Sequence, residues 1–236
     1  MRDNSTTGAG AVIVAAGEGR RMGGREKLFY PLGGKPLLVL TLAAFQDHPA
    51  VGDIVLVGGE RVRERLEKEW RARYGLTKVS AAVPGGPRRQ DSVRNGLEAF
   101  GSPPELVLIH DGDRPFISGA VISAVLAAAP GGGAIAAVAV KDTVKMVDGE
   151  GVITDTPDRR RLRLAQTPQG FPFPAILEAH RRARREGREV TDDAALAERA
   201  GLRVRLVEGS YDNIKITTPE DLTLAEAIRS RRQKQN

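Results

Sequence analysis

The chain has 236 residues, 36 lysines and arginines against 30 aspartates and glutamates, and a net charge of +6. Hydrophobic residues make up 41% and cysteine is missing, so there is apolar material for a sizeable core, and disulfides, thiolate metal sites and cysteine nucleophiles are excluded. A basic balance suits nucleic acid or polyanionic small substrates, but at 4% aromatic residues the chain is poor in stacking platforms, and no nucleic-acid partner is expected.

Residues 1–10 are polar and lack an apolar signal-peptide core, so they read as a disordered lead-in and the protein as cytoplasmic. No apolar run is long enough to span a membrane. The first strand is predicted over Ala11–Ala16, on the β-branched run Ala11–Val14. AAGEGRRMGGREK (Ala15–Lys27) follows. Its glycines leave backbone N–H groups open to a phosphate, and Arg20, Arg21, Arg25 and Lys27 add positive charge. It is neither a Walker A loop nor a dinucleotide fingerprint. A basic surface loop is the alternative reading.

A helix is predicted over Pro36–His48, a strand over Asp53–Val57, and an amphipathic helix over Glu60–Tyr74 with Trp70 as a core anchor. A strand over Lys78–Val83, a helix over Gln90–Phe100, a strand over Leu106–Ile109, a helix over Ser118–Ala129 and a strand over Ala134–Val140 continue the alternation. This pattern predicts an α/β, Rossmann-like, mostly parallel central sheet with helices on both faces, binding ligands beyond the carboxyl ends of its strands. Asp111 directly follows the fourth strand and is a candidate Mg²⁺ ligand, because that ion prefers hard oxygens and shared phosphates. His48, His110 and His180 lie too far apart in sequence to suggest zinc.

Residues 141–171 break the pattern with short β-like pieces and the turn Asp148–Gly151, which predicts a β-hairpin arm projecting over about 141–166. A helix over Pro172–Glu186, a helix opened by Thr191, Asp192 and Asp193, and a strand over Arg203–Val207 follow. Alternation at Asn213-Ile214-Lys215 sends Asn213 and Lys215 to one side. Thr218-Pro219-Glu220-Asp221 starts the last helix, which frays into a basic tail at 229–236. Residues 11–228 read as one domain.

The loop A-A-G-x-G-x-R-M with Lys27 resembles that of the sugar-phosphate nucleotidyltransferases. With Gly33–Leu38 after it, the RRM form resembles the cytidylyltransferases of the non-mevalonate isoprenoid pathway. GG-x-x-R-x-x-S-V at Gly85–Val93, HDGDRP at His110–Pro115, TPQ at Thr167–Gln169, TDD at Thr191–Asp193 and N-x-K at Asn213–Lys215 follow in that family's order. The resemblance implies cytidylyl transfer from CTP to a polyol phosphate, 2-C-methyl-D-erythritol 4-phosphate, with ribitol 5-phosphate or silent nucleotide binding as alternatives. It implies Mg²⁺ or another divalent cation at Asp111 and a homodimer joined by the arm. The implied catalytic cations are Arg21, Lys27 and Lys215. Nucleotide contacts are implied at Ala15, Ala16, Gly17, Gly19, Gly85, Gly86, Arg89, Ser92 and Asp111. Polyol-phosphate contacts are implied at Arg114, Thr143, Arg159, Thr167 and Thr191, with Arg159 reaching across from the partner subunit. Asp113 departs from the family's HDAARP or HDGARP, and two placements are open to it: pairing with Arg114, or facing solvent.

Overall fold

The computed structural model of the protein describes residues 8–17 and 27–234. Arg21 and Gly19 therefore lie outside the described residues, with Arg20 and Arg25. The first strand, β1 (Ala9–Ala15), starts two residues earlier than predicted, inside the expected lead-in. Then come α1 (Leu37–Gln46), β2 (Val51–Gly58) and α2 (Glu60–Arg65), which runs through a π-helical turn (Leu66–Trp70) to Arg73. They are followed by β3 (Val79–Val83), α3 (Arg89–Glu98), β4 (Leu106–Asp111), α4 (Gly119–Ala128) and β5 (Gly133–Ala139). A small exposed hairpin, β6 (Met146–Val147) and β7 (Ile153–Asp155), precedes β8 (Arg163–Pro172). The chain closes with α5 (Phe173–Arg185), α6 (Asp193–Arg199), β9 (Val204–Glu208) and α7 (Pro219–Gln233).

Seven strands form one sheet in the order β9-β5-β8-β4-β1-β2-β3. All neighbours are parallel except β8, which runs antiparallel between β4 and β5. Period-2 alternation splits the core between the two faces. Ala11, Ile13, Ile54, Leu56 and Leu108 pack with Leu38, Phe45 and Trp70 under α1, α2, α4 and α7. Val12, Val55, Val57, Val107 and Ile109 pack with Val93, Leu97 and Ile176 under α3, α5 and α6. Trp70 is 2% exposed, the core anchor expected of it; removing such a side chain costs about 3–5 kcal/mol. No helix among the described residues is long and apolar enough to cross a membrane.

The chain winds outward from β1 to β3, then returns to add β4 on the other side of β1. That reversal opens a crevice at the carboxyl ends of β1 and β4, the usual ligand position of such sheets.

Two stretches differ from expectation. The sequence ends the arm at about 166 and predicts no sheet strand over Arg163–Pro172, yet this stretch is a strand inside the sheet, because its buried polar groups find partners. Gln166 Nε2 donates to the Ser210 carbonyl at 2.9 Å, and Gln169 Nε2 donates to Asp192 at 2.9 Å. The basic tail does not fray at 229, since α7 continues to Gln233. Arg229 pairs there with Glu226 at 2.8 Å and donates to Gln233 at 2.9 Å, contacts that support a helix end.

Candidate functional site

A cleft of about 580 Å³ opens at the crevice. One wall is the end of β1: Val14, Ala16 and Gly17 line it, with Lys27 from the short 3₁₀ turn Lys27–Phe29. The opposite wall is the β3–α3 loop, with Gly86, Pro87, Arg88, Arg89 and Ser92. Asp111, Asp113, Lys215 and Thr217 complete it.

Glycine is needed where the walls meet. A β-carbon on Gly85 would stand 2.2 Å from Ala16 Cβ, and one on Gly86 would stand 2.4 Å from Asp91 Cβ. Bare backbone at Gly85 lets the two walls touch, and at Gly86 it lets the β3–α3 loop fold close onto the first turn of its own helix. The Gly86 N–H donates to Ser92 Oγ at 3.0 Å, and the Ser92 hydroxyl donates to the Arg88 carbonyl at 3.2 Å, so Ser92 shapes the loop.

Asp111 is the hub. Its Oδ1 accepts from Arg89 Nε at 3.2 Å and its Oδ2 from Lys215 Nζ at 2.9 Å, with Arg114 Nε at 3.6 Å. Burial pushes the Asp111 carboxyl up, but Arg89, Lys215 and Arg114 outweigh it and hold the group well below the usual carboxylate range. Arg89 also donates from Nη1 to Asp193 Oδ2 at 2.8 Å. Burial disfavours the Arg89 charge, and Asp193 and Asp111 more than restore it.

A buried network fixes Asp111 from behind. Its backbone N–H donates to Thr167 Oγ1 at 3.1 Å. The Thr167 hydroxyl lies 3.0 Å from His110 Nδ1, and His110 Nε2 lies 3.2 Å from the Arg114 carbonyl. A carbonyl only accepts, so Nε2 carries the hydrogen and Nδ1 accepts from Thr167. Burial pushes the His110 imidazole down to about 4, keeping it neutral. Asn213, fully buried, donates to the Thr167 carbonyl at 2.8 Å, and its own carbonyl accepts from Arg114 at 2.8 Å.

Of the cations expected to converge, Lys27 and Lys215 both face this cleft. Ala15 ends β1 buried beside it. Lys215 faces the cleft, but the strand-like alternation predicted for Asn213-Ile214-Lys215 does not form: Asn213 stands buried in a bend, and Lys215 lies in the irregular chain after it. Thr167 sits beneath the site, with its hydroxyl engaged by protein groups. Thr143 and Arg159 lie on the exposed arm, where Arg159 donates to the Lys141 carbonyl at 2.7 Å, and Thr191 is an exposed residue before α6. None of these three lines the cleft.

Asp113 takes neither placement that the sequence leaves open. It pairs with Lys27 at 2.5 Å, and Lys27 also donates to the Ile216 carbonyl at 2.8 Å. Sequence reasoning also missed Asp193 as the partner of Arg89. The motif TDD signals two acids at a helix start, and the fold divides their work. Asp192 caps α6 by accepting from the Ala195 N–H at 3.0 Å, while Asp193 turns inward.

Fixed cations, a bare-backbone wall and a central carboxylate at the switch point of a doubly wound sheet define a phosphate-handling α/β protein of the nucleotidyltransferase kind. The sequence pattern of the 2-C-methyl-D-erythritol 4-phosphate cytidylyltransferase family matches residues 9–231. The chain belongs to this family. It is 48% identical over 219 residues to the 2-C-methyl-D-erythritol 4-phosphate cytidylyltransferase of Bacillus mycoides, covering 92% of this chain and 96% of that protein. It is 49% identical over 220 residues to the bifunctional enzyme IspD/IspF of Desulforudis audaxviator, where it spans 92% of its own length but 56% of the relative's. Among solved structures, the 4-diphosphocytidyl-2C-methyl-D-erythritol synthase of Anaerococcus prevotii superposes with a TM-score of 0.83 at 32% identity, covering 97% of this chain and 100% of that one. The 2-C-methyl-D-erythritol 4-phosphate cytidylyltransferase of Thermus thermophilus gives 0.75 at 37% identity, covering 94% and 99%.

Proposed function

We propose that this chain transfers the cytidylyl group of CTP to 2-C-methyl-D-erythritol 4-phosphate, releasing pyrophosphate. The observation that carries the reading is the convergence on one cleft at the β1–β4 crevice of Arg89 and Lys215, both on Asp111, with Lys27, in a chain of this family. A phosphate oxygen of the acceptor attacks the α-phosphorus of CTP in line. The new P–O bond forms as the bond to the β-phosphate bridging oxygen breaks, and pyrophosphate carries away the electron pair. The nucleophile is already an anion, so no general base is required. The barrier is the approach of two negative groups, which positioning and fixed positive charge lower. Lys27 and Lys215 supply that charge, joined in our reading by Arg21. Gly85, Gly86, Arg89 and Ser92 form the wall against the cytosine.

Mg²⁺ fits as an ion shared with substrate rather than caged by protein. No group of three His, Cys, Asp or Glu side chains that would hold a metal is found among the described residues, but two carboxylates line the cleft, Asp111 and the Asp113 that pairs with Lys27, and Asp111 is the one assigned to the ion. A single carboxylate plus phosphate oxygens is a common Mg²⁺ arrangement. Asp111 would hold the ion, which supplies neutralising charge to the phosphates.

The acceptor end of the reading uses Arg114, Thr167 and Thr191, with Thr143 and Arg159 brought by the arm of a second copy. Its support is the exposed apolar surface of the arm, where Met146, Val147, Val152 and Ile153 are each more than half exposed. Phosphorus NMR of the protein with CTP, Mg²⁺ and either methylerythritol or ribitol phosphate tests the function. The CDP-methylerythritol signals are expected with the first acceptor only. Product with ribitol phosphate alone, or CTP bound and left intact, overturns the assignment.

A further inference from the structure

A line of buried polar groups runs from the core to the cleft, and its inner half has no part in the chemistry above. It begins at His180 on α5, which is 1% exposed. His180 Nε2 stands 3.0 Å from Asp193 Oδ1. Asp193, also 1% exposed, presents its other oxygen to Arg89 Nη1 at 2.8 Å. Arg89 Nε reaches Asp111 Oδ1 at 3.2 Å, and Asp111 Oδ2 meets Lys215 Nζ at 2.9 Å. Exposure rises outward along the line: the side chains of His180 and Asp193 are 0% and 2% exposed, that of Asp111 10%, and those of Arg89 and Lys215 29% and 37%.

The direction of Arg89 is set by two carboxylates, one at the cleft and one behind it. The rear carboxylate, Asp193, has one oxygen free to turn unless something holds the other. His180 is that holder. Its Nδ1 is buried with no partner among the described residues, so its one polar contact is spent on Asp193. A first ring of binding groups keeps its geometry only when a second ring fixes it. The carboxylate lies on α6 and the imidazole on α5, while Arg89 lies on α3. The contact thus ties three helices of one face to the nucleotide wall.

We propose that His180 is a positioning residue which, through Asp193, holds Arg89 and Asp111 in the geometry that receives the nucleotide. The inference rests on the reading of the cleft as the CTP site. A packing role for His180 makes the opposite prediction. His180→Leu keeps apolar bulk and loses the N–H, whereas His180→Gln keeps an N–H near the Nε2 position. Packing favours Leu over Gln; positioning favours Gln over Leu.

The test measures CTP affinity directly by calorimetry, together with separate KM values for CTP and for the polyol phosphate. His180→Leu is expected to weaken CTP by roughly tenfold, the scale of losing an outer support of a bound group. The polyol-phosphate KM should move less than twofold, and His180→Gln should recover most of the CTP affinity. Asp193→Asn should weaken CTP at least as much as His180→Leu, because it also removes the charge paired with Arg89, and adding His180→Leu to it should cost little more, since His180 acts through Asp193. Unchanged CTP affinity in His180→Leu, or an equal loss for both substrates, overturns the proposal. If His180→Leu fails to fold, unchanged CTP affinity in Asp193→Asn overturns it alone. A wild-type protein that binds CTP and forms no product overturns the function while the binding comparison still decides the role of His180.

Discussion

Lys27 and Asp113, 86 residues apart in the chain, close into an ion pair at the cleft, and the same ammonium donates to the carbonyl of Ile216. The expected phosphate-gathering lysine therefore already has a carboxylate partner. Asp113 is held rigidly. Its carbonyl accepts from the Ile216 N–H at 3.0 Å, and the preceding Gly112 donates to the Val14 carbonyl at 2.8 Å. Asp113→Ala, which restores the residue of the related HDGARP pattern, adds one net positive charge to the cleft. A unit charge about 8 Å away is worth about 2 kcal/mol at an effective dielectric constant near 20, less after screening by water. The KM for CTP is expected to fall about threefold to tenfold. Steady-state kinetics at fixed ionic strength checks it, and a higher KM would show that aiming Lys27 outweighs neutralising it.

Lys27→Ala removes a cation and strands Asp113. Loss of one preorganised charge at the reacting group typically costs ~10²–10³ in rate. The fold should survive, because Leu28 and not Lys27 fills the core at this turn. A melting temperature near wild type with kcat/KM reduced on that scale is the expected result. Adding Asp113→Ala to Lys27→Ala should return part of the CTP affinity, since it removes the stranded negative charge. Near-wild-type turnover in Lys27→Ala would remove the residue from the mechanism.

These residues show which parts of the site are written locally in the chain. Asp111 is legible because a carboxylate directly after an apolar run sits at a sheet edge. Lys215 is legible through the N-x-K motif of the resembled family, not through strand alternation, since Asn213 stands in a bend. The partner of Lys27 is not, since the sheet order alone joins the ends of β1 and β4, and no local pattern encodes it. β8 is hidden because the short β-like pieces of 141–171 read as a projecting arm, and the polar Gln166, Thr167 and Gln169 give no sign of burial until their hydrogen bonds are seen. The contact of Gly85 with Ala16 is invisible for the same reason as the ion pair. His180 escapes notice because its partner is a carboxylate thirteen residues on, at the start of the next helix.

His110 gives a pH dependence with a definite direction. Burial lowers its folded value from 6.5 to about 4. Between those values the unfolded chain takes up a proton that the folded protein refuses. The stability from the neutral buried ring is thus whole above about pH 6.5 and falls as pH drops towards 4, by on the order of 3 kcal/mol. Asp111 and Asp193, held below the ordinary carboxylate range, lose their contribution only as pH falls further, through their own folded values. His110→Gln keeps an acceptor for Thr167 and a donor for the Arg114 carbonyl without a titrating ring. Urea midpoints at pH 7 and pH 5 should fall more for wild type than for His110→Gln. Parallel losses would place the titration elsewhere.

Gly85→Ala tests the contact between the two walls. The new β-carbon would meet Ala16 Cβ at 2.2 Å, so one loop must retreat. Overpacking of this kind costs about 1–3 kcal/mol. Part of that cost should appear as weakened CTP binding, because the displaced loop is a wall of the cleft. Calorimetry is expected to show several-fold weaker CTP binding, whereas Gly101→Ala, which has open space around its β-carbon position, should leave binding unchanged. Equal affinities in the two variants would mean that the loops yield without moving the site.

The arm carries the last prediction. β6 and β7 form a hairpin of only two short strands, and a hairpin alone is marginal in water. Met146, Val147, Val152 and Ile153 are 53–58% exposed on it, and Leu164 at the base of the arm is 54% exposed. Burying five such side chains against a second copy would remove the cost of that surface and steady the hairpin. Light scattering is expected to give twice the chain mass for wild type and the single mass for Val147→Asp with Ile153→Asp. Because Thr143 and Arg159 share the arm, the monomer should keep CTP affinity and lose polyol-phosphate affinity. A monomeric wild type, or a monomeric variant with an unchanged polyol-phosphate KM, would separate the arm from the site.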